Sequence, residues 1–228
     1  MLFRSHVLGD YWGIDVQSAF GASVTENVWR LPTHTQRAQD LMGLGYTIAR
    51  KPQREGQVVL YEASNGLKVF RNPSAMPRAW AVHETAAYRD RRQLDQMIED
   101  PGFDLRRVAP VRTPIGGIDK CGGEDMVRVA GGETNRIAVE VKLACASLVV
   151  VSDTYFPGWE AHMDGKPVAI HEVYGAFRGV VVPAGEHRIE MRYRPRTALW
   201  GAVLTAIGIL GAVGLAAGAE IRRRRRRV

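Results

Sequence analysis

Three neighbouring carboxylates, Asp153, Glu160 and Asp164, are of the type that supplies the acid and base of a glycosidase. Their local patterns read otherwise. Asp164 opens an Asp-Gly turn, Glu160 takes the water-facing phase of an alternating strand, and Asp153 closes an apolar strand. No catalytic residue is assigned among them. His162, His171 and His187 fall in or beside strands at intervals that match no zinc spacing, so no metal site is expected. The two cysteines form no metal motif either: Cys145 lies in an apolar run and reads as a buried thiol, and Cys121 sits among glycines. An exported location permits a disulfide between them, a pairing that sequence leaves open. The glycines from Gly116 to Gly123 are not followed by a helix pattern, so they make no phosphate cradle, and no cofactor is implied.

Aromatic residues offer different chemistry. Tyr155, Phe156, Trp159, Tyr174 and Phe177 cluster in one segment, and sugar C–H faces pack well on such rings beside polar groups. The glycan-contact candidates are Tyr155, Trp159 and Tyr174. Trp159 alternates in phase with Ala161 and Met163, which points it to a core, whereas Tyr155 and Tyr174 are expected at an exposed loop edge. Packing is the favoured role for the cluster and glycan contact the second.

The elements that position these residues divide near Gly116–Gly123. Residues 1–115 read as a mixed α+β region. A short helix is expected over Thr35–Met42, a strand from Tyr46 to Ala49, and a hairpin of Val58–Glu62 and Leu67–Arg71 turned by Asn65-Gly66. Ala79–Glu84 reads as a strand and Tyr88–Ile98 as a helix stopped by Asp100-Pro101-Gly102. Residues 124–195 read as strand after strand. Ile137, Val139, Val141 and Leu143 alternate with polar residues, as do Ile189, Met191 and Tyr193, and Leu148–Val151 is an unbroken apolar run suited to a central strand. Turns at Pro157-Gly158, Asp164-Gly165 and Ala184-Gly185 complete an antiparallel β-sandwich of jelly-roll or Ig-like type.

Residues 198–219 carry no charge, and six arginines, Arg222–Arg227, follow. Such a stretch spans roughly 33 Å as a helix, enough for a hydrocarbon core of about 30 Å. A transmembrane helix over 198–219 is expected, with a basic cytoplasmic tail over 220–228 and the rest of the chain extracytoplasmic. The tail is expected to meet anionic lipid. Gly214 and Gly218 form a small-xxx-small pair that would let another membrane helix pack closely. Without the six tail arginines, the 31 Lys and Arg fall to 25 against 24 Asp and Glu, so the formal charge of +7 gives no footprint for nucleic acid. Met1–Gly9 lacks the apolar run of a signal peptide, so the chain is expected to be the C-terminal piece of a longer membrane protein.

The stretch Val149–Pro195 joins an apolar strand, a tyrosine, Pro-Gly-Trp, Asp-Gly-Lys, a Phe-Arg strand, Pro-Ala-Gly-Glu-His and a Tyr-x-Pro exit into the apolar helix. It resembles the C-terminal end of the YfhO family of bacterial membrane proteins, and Leu41–Ala49 and Val69–Glu84 are similar too. The resemblance implies kinship with polytopic GT-C-like glycosyltransferases, which take sugars from polyprenyl-phosphate donors at the outer membrane face. It also implies that this chain corresponds to the last extracytoplasmic domain and final helix. The catalytic membrane region of such enzymes has no counterpart here, so no catalytic residue carries over. The chain is expected to be non-catalytic alone, positioning glycan or lipid-linked sugar. The alternatives are an independent membrane-tethered carbohydrate-binding module and a structural partner of other membrane helices.

Overall fold

The computed structural model describes residues 35–225, with side chains of the terminal helix described no further than Gly214. The readings of Met1–Gly9 and of residues 226–228 lie outside the described residues.

The described residues open with helix α1 (Gln36–Leu41), whose first turn is capped by the Thr35 hydroxyl accepting the Ala38 N–H. Strands β1 (Tyr46–Ala49), β2 (Val58–Glu62) and β3 (Lys68–Arg71) form a small antiparallel sheet in the order β1-β3-β2. Then follow β4 (Ala79–Val82), β5 (Glu84–Ala87), helix α2 (Arg91–Glu99) and β6 (Val108–Val111). Asp90 caps α2 by accepting the Gln93 N–H. The remaining strands are β7 (Met126–Glu133), β8 (Arg136–Leu143), β9 (Ser147–Thr154), β10 (Trp159–Met163), β11 (Lys166–Val168), β12 (His171–Val173), β13 (Phe177–Val182) and β14 (Gly185–Tyr193). Helix α3 (Arg196–Arg225) ends the described chain.

Two large sheets face one another. One is five-stranded, in the order β11-β10-β14-β8-β7, and the other six-stranded, in the order β4-β9-β13-β12-β6-β5. The inward residues of β8, β10 and β14 pack against Val149, Val151, Val180 and Val182 from the second sheet. The opposite face of the six-stranded sheet buries Trp80, Val82, Leu148, Val150 and Phe177 under α1 and α2, through Ala38, Leu41, Leu94 and Ile98. Strand β9 is apolar on both faces because both are covered, which is why Leu148–Val151 carries no alternation. Full burial of each such side chain favours folding by about 1.5–3 kcal/mol.

The sandwich therefore holds, but two expectations need correcting. Residues 116–123 do not divide two folding units, because β4, β5 and β6 lie in the same sheet as β9, β12 and β13. The sheet is also not wholly antiparallel, since β5 and β6 run parallel with α2 as their connection. The outer face of the five-stranded sheet is a lattice of ion pairs, with Arg128 and Arg188 both on Glu140, Arg136 on Glu190, and Lys142 on Glu186.

The expected Asp164-Gly165 turn joins β10 to β11, both residues having the left-handed backbone such hairpins demand. Among the described residues no helix is long and apolar enough to cross a membrane. Helix α3 nevertheless runs 30 residues with Trp200, Leu204, Ile207, Ile209, Leu210 and Val213 all exposed.

Candidate functional site: an aromatic and arginine-lined cleft

Where β14 leaves the sandwich for α3, a cleft of about 830 Å³ opens between the ends of β9, β10 and β14. One wall is aromatic. Trp159 and Tyr193 lie 5.5 Å apart between ring centroids, and Phe156 lies 6.4 Å from Tyr193. Cross-strand register puts Trp159 directly opposite Tyr193. The turn before β10 presses on the exit of the sandwich: a Cβ on Gly158, at φ +111°, would sit 3.0 Å from the Tyr193 ring and 3.2 Å from Pro195 Cα. Arg194 N–H donates to Gly158 O at 2.7 Å.

The other wall is charged. Arg178 lies in phase with Val180 and Val182, so its side chain points between the sheets, and it is only 1% exposed. Its guanidinium lies 3.7 Å from the Trp159 ring centroid, a cation–π contact, and Nη2 donates to Asp153 Oδ2 at 2.7 Å. Burial pushes the Arg178 pKa down to about 10, an effect the Asp153 carboxylate partly offsets, so the group stays charged at neutral pH. Asp153 also accepts from Arg78 at 3.2 Å, and Arg78 reaches into solvent. With its guanidinium committed inward, Arg178 holds the wall, while Arg78 and Arg136 offer donors toward the opening. Such a site can stack a flat apolar ring face and hydrogen-bond hydroxyl or phosphate oxygens.

The candidate residues part company here. Trp159 faces the core side of β10 as its phase indicates, yet it is half-buried and lines the cleft. Tyr155 is half-buried and lies off the cleft, its N–H donating to Ala176 O. Tyr174 corrects the expectation of an exposed loop edge. It is fully buried, packs on Trp80 and Phe177, and donates its hydroxyl to Leu105 O at 2.7 Å. Burial drives its phenol pKa well upward. A β12–β13 turn with left-handed backbone at Tyr174 and Gly175 swings the ring inward, so turn position did not imply exposure. Gly214 has open space around it, and Gly218 lies beyond the described side chains.

The three carboxylates do not converge. Asp153 is tied up by arginines, and Glu160 faces outward opposite Arg192. Asp164 accepts from His187 and from the Arg188 N–H, which together hold its carboxyl below the usual range.

At the far end of the sandwich Cys121 and Cys145 are joined as a disulfide. His83 lies against it, an arrangement no spacing in the sequence announced. Arg178 left a fainter signal. An arginine in the inward phase of an apolar strand demands a buried counter-ion, and Asp153 is the carboxylate that meets it.

The chain is thus a two-sheet sandwich backed by helices, its last strand leading directly into helix α3. Residues 125–205, from the start of β7 into α3, match the family model described as bacterial membrane protein YfhO. That segment is therefore similar to the YfhO family of bacterial membrane proteins over about a third of the chain. No curated protein and no solved structure was found to match it.

Proposed function

We propose that the chain is an extracytoplasmic module anchored by α3, which seats a glycan or the sugar-phosphate end of a lipid-linked sugar in the Trp159–Arg178 cleft. It performs no bond-breaking step itself. The observation that carries this reading is the position of the cleft: its aromatic wall is continuous with Tyr193 and Pro195, the residues that lead into α3. A helix crossing the bilayer from Arg196 onward would hold the cleft at headgroup height, where lipid-linked sugars present their polar ends. Arg222–Arg227 would then remain in the cytoplasm. The exposed apolar side chains of α3 need either lipid or partner helices around them, and Gly214 would admit a close helix.

The test uses the full chain in lipid nanodiscs, titrated with polyprenyl-phosphate sugars and with short cell-wall oligosaccharides while tryptophan fluorescence is followed. Saturable binding that is lost in Trp159→Ala and weakened in Arg78→Ala supports the reading. Binding unchanged by both substitutions, or no binding to any probe, refutes it. Orientation is read separately. A membrane-impermeant thiol reagent should label Lys166→Cys on intact cells, and labelling only after permeabilisation would reverse the topology.

A further inference from the structure

The geometry points to a second site, unrelated to the cleft: a redox-gated binding site for a soft divalent cation, zinc(II), made of His83, Cys121 and Cys145. It is closed while the disulfide stands and available once the disulfide is reduced. The three residues come from separate turns at one end of the sandwich. His83 follows β4, Cys121 lies in the loop before β7, and Cys145 lies in the β8–β9 turn. All three ligand atoms fall within 4.8 Å of one another.

His83 Nδ1 lies 3.3 Å from Cys145 Sγ and 3.9 Å from Cys121 Sγ. Around tetrahedral zinc, Zn–N of about 2.0–2.1 Å and Zn–S of about 2.3 Å separate a nitrogen from a sulfur ligand by about 3.6 Å. The imidazole already stands at that range from both sulfurs. Only the sulfurs must part once their bond is cut.

The imidazole is also aimed. Its Nε2 meets Asp125 Oδ2 at 2.5 Å, and Asp125 is itself fixed because Oδ1 accepts the Ala144 N–H at 3.0 Å. An Nε2 that donates to a carboxylate leaves the Nδ1 lone pair facing the sulfurs, the carboxylate–histidine arrangement that orients metal-ligating imidazoles. His83 and Asp125 are partly exposed, at 18% and 13%, so a cation can enter and water can fill the fourth position. One nitrogen and two sulfurs form a soft donor set that favours zinc over calcium or magnesium.

The chemistry balances with a dithiol reductant as co-reactant. The reductant passes two electrons and two protons to the Cys121–Cys145 bond and itself becomes a disulfide. Zinc(II) then binds the two thiolates and His83 Nδ1, releasing the two thiol protons to solvent.

The full chain in detergent, reduced with a phosphine and desalted without oxygen, is titrated with cobalt(II) and then with zinc(II). Reduced protein should bind one cobalt with a thiolate-to-cobalt charge-transfer band and tetrahedral d–d bands, zinc should displace it, and oxidised protein should show neither band. Asp125→Asn should weaken affinity about 10–100-fold, as loss of an outer carboxylate does, with the far-UV circular dichroism unchanged, and His83→Ala should weaken it further. Absence of the charge-transfer band in reduced protein would overturn the site. So would equal affinity in wild type, His83→Ala and Asp125→Asn, because the cysteines would then bind cobalt adventitiously without the imidazole.

Discussion

Removing Asp153 should harm the protein more than removing its buried partner. Arg178 is sealed between the sheets, and Asp153 is its counter-ion. In Asp153→Asn the guanidinium stays buried with a neutral amide, and the like charge of Arg78 stands nearby. Stranding a buried charge costs about 3–5 kcal/mol, and the partial exposure of Asp153 argues for the lower end, about 3. In Arg178→Met the aspartate keeps Arg78, a flexible apolar chain fills the space, and what is lost is the cation–π contact and hydrogen bonds, about 1–2 kcal/mol. At about 2–4 °C per kcal/mol for a chain of this size, Asp153→Asn should lower Tm by about 6–12 °C and Arg178→Met by about 2–8 °C. The double variant should melt above Asp153→Asn, because no unpaired charge remains. Near-UV circular dichroism of the full chain in detergent during heating reads all three. Arg178→Met melting at or below Asp153→Asn, or a double variant as unstable as the sum of the singles, would refute the pairing argument.

Two further predictions concern stability. Tyr174→Phe should cost about 1–2 kcal/mol in urea unfolding, because it leaves the buried Leu105 carbonyl without its hydroxyl donor, and a neutral result would mean water reaches that carbonyl. The lattice on the five-stranded sheet sets the pH response. Glu140, Glu186 and Glu190 are held below the usual 4.5, chiefly by their bonds to Arg128, Lys142 and Arg188 respectively. A carboxyl lowered in the folded state stabilises above its unfolded pKa, so that contribution should be intact at neutral pH and fade as pH falls through 4.5 and below. Lys142 is raised above 10.5 by Glu186, so its share holds below 10.5 and is lost as pH climbs through its folded value. Melting curves against pH should show both flanks, each shallower in 1 M salt.

Much of the fold was legible because period-two alternation is a direct print of one-sided burial. Ile137, Val139, Val141 and Leu143, with Trp159, Ala161 and Met163 and with Ile189 and Met191, face the sandwich interior as their phase implies. The hairpin turns at Asn65-Gly66 and Asp164-Gly165 announced themselves through residues that tolerate left-handed backbone. What stayed hidden was non-local. Strand β5 is Glu-Thr-Ala-Ala and β6 carries Pro110, so neither has β-rich composition, and their parallel pairing depends on α2 lying between them. The glycine-rich loop looked like a boundary because composition shifts there, yet sheet membership is decided by pairing across it. Tyr174 looked like a loop residue, and the turn turned it inward. Of the cleft, only Trp159 was named as a contact in advance. Arg78 and Asp153 lie 75 residues apart, and nothing local marks them as neighbours.

The pairing of β4 with β9 has a consequence for how the protein is made. Ala79–Val82 leave the ribosome roughly seventy residues before Leu148–Val151, their strand partner in the sheet, so an early apolar strand must wait with neither edge paired. With the domain exported as proposed, translocation would hand that strand across the membrane before its partner exists. Maturation therefore depends on delay: a chaperone that shields Trp80 and Val82 until β9 arrives should raise yield more than any helper acting after release.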